Sequence, residues 1–219
     1  MKYFLVLFFL FTGNLIYSQG SITLRDKPFV FNGPIDSSVW KPLAANVSFL
    51  ELNKDEQMLF YWTNVMRKNP LLFYNDVVKE FIRQFPEANK PEVKSLERDI
   101  EKIKAPLPFL LPDAKLVRMS WAHAQDLAKR NGIISHKSSS GKDFVQRLKE
   151  TGTFRCGAEN LFIGNPNPLE ALITLLIDYG VPDKGHRVNL LDPTFERMGV
   201  AFSNPGGKKL LVVQVFACK

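Results

Sequence analysis

The firmest constraint in this 219-residue chain lies near its C-terminus. Met198 to Phe202 and Leu210 to Ala217 are apolar runs flanking Asn204-Pro205-Gly206-Gly207, a turn signal, and together they read as a β-hairpin. A lone hairpin is marginal in water, so it needs further strands and something packed over it. Ala158 to Ile163 reads as another strand, and most of the chain between Asn53 and Asp178 carries helical patterns. Asn53-Lys-Asp-Glu56 fits a capping box, followed by Leu59, Trp62 and Met66 on one face. Pro70 opens a second helix with Tyr74, Val77, Val78, Phe81 and Phe85 as its stripe, and a third starts near Pro91 with Val93, Leu96, Ile100 and Ile103. Asp113 to Asn131 is a fourth, with Val117, Trp121, Ala124 and Ala128 expected inside and Gly132 just past its end. A short helix is expected around Phe144 to Thr151. Asn167-Pro168-Leu169-Glu170 starts another, Leu169 to Asp178, apolar nearly all round and therefore buried. Residues 21–52, broken by Pro28, Gly33, Pro34 and Pro42, read as an irregular arm with a short strand around Val47 to Leu50. Helices interleaved with strands predict one α+β domain, its mostly antiparallel sheet covered by helices.

Composition narrows the function classes. The chain is 45% hydrophobic, and 29 Lys and Arg against 22 Asp and Glu give +7, an ordinary globular balance with a basic tilt. The densest charged stretch, Lys90 to Lys104, mixes both signs and reads as a solvated helix face. No cationic tract interleaved with aromatics is present, so no nucleic-acid partner is expected. The excess reads as thinly spread, serving solubility or attraction to an anionic surface.

Met1-Lys2 precedes an apolar run from Tyr3 to Leu10, extended by Phe11. That run is too short to span a bilayer, which needs roughly 20 residues, and it suits a secretory leader over residues 1–20. Ser18-Gln19-Gly20 places small residues for a cut before Ser21. The mature chain, with no later spanning stretch, is expected to be secreted or periplasmic. Its two cysteines, Cys156 and Cys218, read as one disulfide in an oxidising compartment, with two buried thiols as the alternative.

Only three histidines exist. His123 lies beside Leu116 and Leu127 and reads as a packing residue. His136 follows a helix end, Glu159 opens a strand, and His186 follows the buried helix, separated by 23 and 27 residues. Ends of rigid elements are where functional groups are presented, yet each has a bland reading when taken alone.

Their order carries a resemblance. Ala124-Gln-Asp-Leu-Ala128, Ile134-Ser-His136, Ser138-Ser-Ser-Gly141, Phe144 and Arg147 are followed by Gly157-Ala-Glu159-Asn160-Leu161. Gly185-His186-Arg187 with Asn189-Leu-Leu, Met198-Gly199-Val200 and Val213-Gln-Val-Phe216 complete the series. The set resembles the CAP superfamily of cysteine-rich secretory, antigen 5 and pathogenesis-related 1 proteins, whose bacterial members are often called SCP-like. The likeness covers residues 53–219, with about 73–104 as a helical insertion. It implies a three-layer α-β-α sandwich, here with extra N-terminal helices, and a cleft holding two histidines and two acids. His136, Glu159 and His186 match three positions. Leu175 stands where the family has a tryptophan, and Asp178 falls at the fourth, acidic position, with Glu170 as its rival.

Two imidazoles and two carboxylates can ligate a divalent metal, act as base and acid on water, or hold a cleft's shape. With no HExxH helix and no cysteine ligand, no cofactor is required, and zinc at His136 and His186 would be weakly bound. Ser135 and Ser138 to Ser140 lie in no nucleophile-elbow context. The resemblance implies a secreted, non-enzymatic module for a sterol, lipid or other small apolar ligand, or for a cell-surface partner. The rival readings are a metal-assisted, protease-like hydrolase in the same cleft, and a structural or host-interaction envelope protein.

Overall fold

The hairpin forms the centre of a four-stranded sheet of order β1-β3-β4-β2 in a computed structural model that describes residues 22, 24, 27–164, 167–206 and 209–218. The expected leader and its cut site lie outside the described residues. β3 (Arg197–Ser203) and β4 (Leu210–Ala217) pair antiparallel from Arg197 opposite Ala217 to Ser203 opposite Leu211. β2 (Gly157–Gly164) lies antiparallel on the far side of β4, and the two-residue β1 (Leu111–Pro112) runs parallel to β3. The sheet is mostly antiparallel, as expected. The ladder register puts Cys156 and Cys218 just beyond the pair Gly157–Ala217, and they form a disulfide with Cα atoms 5.7 Å apart.

Side chains alternate across the sheet and so define two cores. Leu211, Val213, Val215 and Leu161 face the helix α7 (Ala114–Lys129), while Val212, Phe216, Met198 and Val200 face the opposite helical layer. That layer contains α3 (Lys54–Lys68), α9 (Pro168–Ile177) and α10 (Gly185–Leu191). The result is the α-β-α sandwich. α3 starts at the expected capping box, where Glu56 Oε2 accepts from Asn53 N–H; its Oε1 accepts from Phe202 N–H, joining helix to sheet.

Two expectations change. Residues 37–50 are not strand or irregular arm: α1 (Ser37–Ala44) and α2 (Val47–Leu50) begin at Asp36 and Asn46, whose side chains accept backbone N–H groups. These Asx caps satisfy orphan helix donors. Pro42 is tolerated within α1. In α7 the buried residues are Leu116, Met119, Ser120, His123, Ala124 and Leu127, whereas Trp121 is 58% exposed. The face is rotated from the expected one because polar Ser120 and His123 occupy core positions.

α4 (Pro70–Phe73), a π-helical turn over Tyr74–Val78 and α5 (Lys79–Gln84) run on continuously, and the turn lets the neighbours Val77 and Val78 both be buried. α6 (Pro91–Glu101) buries Val93, Leu96 and Ile100.

Two interior features fix the layers. Buried Arg67 donates from Nε to Pro108 O, from Nη1 to Leu190 O and Asp192 O, and from Nη2 to Asp192 O and Phe195 O. All five donors are used, and none meets a carboxylate. On the other side of the sheet, α7 presses onto β3 at Gly199, where an added Cβ would lie 2.2 Å from Leu116 C and 2.5 Å from Val117 N. Neither backbone atom can swing aside. Gly199→Ala is expected to cost about 1–3 kcal/mol by forcing α7 off the sheet. A urea midpoint equal to that of the native protein would contradict this packing.

Candidate functional site

β2 is an edge strand, and alternation sends Glu159 towards α7 and Asn160 towards α10. On the α7 side, Glu159 Oε1 accepts from His136 Nδ1 at 2.9 Å and from Arg147 Nη2 at 2.9 Å; Oε2 accepts from Arg147 Nη1 at 2.9 Å. Arg147 comes from α8 (Phe144–Glu150), whose start is set by an Asp143–Gln146 capping box. Its Nη2 also donates to His136 O, so one guanidinium holds both the carboxylate and the histidine loop. His123 completes this half. Its Nε2–H donates to Ser135 O at 2.9 Å and lies 3.8 Å from Glu159 Oε1, while buried Nδ1 has no partner among the described residues.

On the other side, α9 ends at Asp178 in a left-handed conformation (φ 62°). Asp is one of the few side chains that tolerates this region. Its Oδ1 accepts from His186 Nδ1 at 2.7 Å, and its Oδ2 from the backbone N–H groups of His186 and Arg187. Asp178, rather than Glu170 in the first turn of α9, is therefore the carboxylate beside His186. Arg187 donates to Leu176 O and Ile177 O at the end of α9, and to Ser95 Oγ, Asp99 Oδ2 and Glu92 O on α6. Asn160 bonds His186 O and Gln214 Oε1, and accepts from Asn189.

The four sequence-nominated residues thus form two His–carboxylate pairs, one at Glu159 of β2 and one where α9 meets α10. Among the described residues, no three His, Cys, Asp or Glu side chains form a group that could hold a metal ion. A carboxylate behind Nδ1 with Nε2 left over is the arrangement seen behind metal-ligating histidines, but only two such nitrogens are on offer.

Burial dominates at His123 and lowers its pKa, with Arg147 acting the same way against the pull of Glu159 and the Ser135 carbonyl. Burial alone would raise Glu159, yet the hydrogen bonds from His136 and Arg147, with the Arg147 charge, outweigh it and leave Glu159 below its usual value. Both shifts stabilise the fold at neutral pH. The His123 contribution is complete above its unfolded pKa near 6.5 and is lost as pH falls below that. The Glu159 contribution is present above its unfolded pKa near 4.3 and is lost as pH falls through its folded value. Unfolding free energy is thus expected to fall in two stages on acidification. His123→Gln should flatten the stage that begins near pH 6.5 while leaving the one below about pH 4; an unchanged slope in urea titrations across pH would refute the assignment.

Beside this half lies a cleft of about 540 Å³ between α7, the Ser138–Ser140 loop and α8. Lys115, Arg118, Lys142 and Arg147 line it, against Asp126 and Glu150. Sequence reasoning missed this cleft and the roles of Arg147 and Arg187. Arg147 stood in the quoted motif series, but nothing local showed that it clamps Glu159.

The sandwich and its edge-strand site define a class of α-β-α domains. Residues 63–218 match the family model described as the cysteine-rich secretory protein family, CAP. The chain belongs to that family. No curated protein matches the sequence. Among solved structures, the chain is similar to an extracellular SCP-domain protein from Bacillus anthracis, at 21% identity and a TM-score of 0.51 over 87% of this chain; it spans only 46% of that protein. An outer surface protein of Borrelia burgdorferi (20% identity, TM-score 0.45, 59% of this chain and 94% of that one) is a further neighbour. A third is venom allergen-like protein 4 of Schistosoma mansoni (16%, 0.45, 76% and 90%).

Proposed function

We propose that this CAP domain is an exported binding module whose His–carboxylate pairs fix the loops and helix ends around them rather than carry out a reaction. The supporting observation is that each carboxylate already accepts three hydrogen bonds from this chain. Glu159 is clamped by Arg147 and His136, and Asp178 receives the His186 ring and two backbone amides. A carboxylate committed this way orients loops and imidazoles and has little capacity left to take a proton from substrate. Of the two ligand types expected from the sequence, the charged lining of the cleft favours a surface partner over a sterol, lipid or other small apolar molecule. No metal is required on this reading.

The test is to purify the exported protein, extract it for bound lipid, and offer it peptide, ester and glycan substrates. No turnover, and none gained or lost in His136→Ala/His186→Ala, is the expected result. A reaction that disappears in that variant would replace this reading with the hydrolase one. The intact mass of the exported form should place its first residue between Ser18 and Ser21; a product that keeps Met1 would contradict export by leader cleavage.

A further inference from the structure

The basic charge of the chain is not spread thinly. Residues 114–155, which form α7, the following loops and α8, hold nine Lys and Arg against three Asp and Glu, that is +6 of the total +7. The acids elsewhere cancel the bases elsewhere. Within this layer Arg147, Lys142 and Arg130 pair with Glu159, Glu150 and Asp126. The remaining six, Lys115, Arg118, Lys129, Lys137, Lys149 and Arg155, are exposed and take part in no ion pair among the described residues.

Their placement is directional. Lys115, Arg118, Ala122, Gln125 and Lys129 recur at three- and four-residue steps, so they form one stripe along α7, about 21 Å from first to last at 1.5 Å per residue. Lys115, Arg118 and Ala122 from this stripe line the cleft, and the stripe then runs on past it. A small ion would use the cleft alone, whereas a polymer would use both. The cleft is also lined by the hydroxyls of Ser138, Ser139 and Ser140 and by the carboxylates Asp126, held by Ser139 and Arg130, and Glu150, held by Lys142. Carboxylates accept hydrogen bonds from hydroxyl groups and repel anionic groups, most strongly where these are dense. The ligand that suits this mixture carries both anionic groups and many hydroxyls. Arg147 lies at the cleft with its side chain only 9% exposed, out of reach of a flat bilayer, and its buried Nε has no partner among the described residues.

We propose that the α7–α8 layer binds an acidic polysaccharide, with one sugar unit in the cleft and neighbouring units along the α7 stripe. This rests on the binding-module reading and names its partner. Attraction of this kind releases counterions, so affinity falls steeply with salt.

The probe is polygalacturonate, presented to the purified full chain at low and at physiological salt. Arg118→Glu/Lys129→Glu is expected to weaken binding about tenfold or more. Lys90→Glu/Lys94→Glu, which makes the same change in net charge at the start of α6, should leave it within about twofold. Arg118→Gln/Lys142→Gln should also weaken binding, and it tests the cleft without reversing any charge. Equal losses in the α6 variant, absence of binding, or tighter binding to duplex DNA or anionic phospholipid vesicles would overturn the proposal. Shortening of the polymer by native protein, abolished in His136→Ala/His186→Ala, would instead overturn the binding-module reading. The two failures are therefore separable.

Discussion

Replacing Arg67 with methionine is expected to cost on the order of 5 kcal/mol or more, a large share of the roughly 5–15 kcal/mol that holds a domain together. The guanidinium meets four carbonyls, Pro108, Leu190, Asp192 and Phe195, that come from the loop before β1 and the segment before β3. Methionine fills much of the volume but leaves those acceptors without a donor, and each buried unsatisfied group costs about 1–3 kcal/mol. Burial lowers the Arg67 pKa to about 10, with Asp192 opposing, so the group stays charged at neutral pH. Arg67→Lys should lie between the two, since an ammonium has three donors and no planar fork. Chemical denaturation gives the answer: a loss under about 1 kcal/mol for Arg67→Met would mean that water or other donors replace the guanidinium.

Removal of the disulfide is the second large effect. Cys156 and Cys218 are 62 residues apart in sequence, and the bond closes the β2–β4 ladder at the end nearest Glu159. In the chain-entropy model a loop of that length is worth on the order of 4 kcal/mol. Cys156→Ala/Cys218→Ala should therefore lower the denaturation midpoint strongly, with folding retained at low temperature. If the double variant and the reduced native protein unfold at the same denaturant concentration as the oxidised protein, the bond constrains nothing that matters.

Local signals were legible wherever a short-range interaction dictates structure. The Asn53–Glu56 box, Pro168 at the first turn of α9 and the hairpin around Gly206 lie where the pattern puts them. α1 and α2 were missed because a run such as Val47-Ser-Phe-Leu50 carries no periodicity, and only the Asn46 side chain marks it as helical. The α7 face was misjudged because a tryptophan outranks a serine and a histidine on any hydrophobicity argument. Ser203 Oγ of β3 donates to Ala124 O and His123 finds Ser135, so this is the face that packs, although buried Ser120 Oγ has no partner among the described residues. Arg67 and Arg187 could not be read at all, since most of their partners are backbone carbonyls distant in sequence. The charge asymmetry was visible in the sequence. Counting cations hides it, and subtracting acids segment by segment reveals it.

The five donors of Arg187 have a consequence for how this protein opens. They join the last turn of α9, the start of α10 and a helix about 90 residues earlier in the chain. Local unfolding follows cooperative units, and a shared guanidinium makes these three segments one unit. Slow amide exchange in α6 and in the His186 turn should therefore rise and fall together. A ligand reaching His186 meets a helix start whose conformational freedom was surrendered when the chain folded, so little ordering entropy is left to oppose binding.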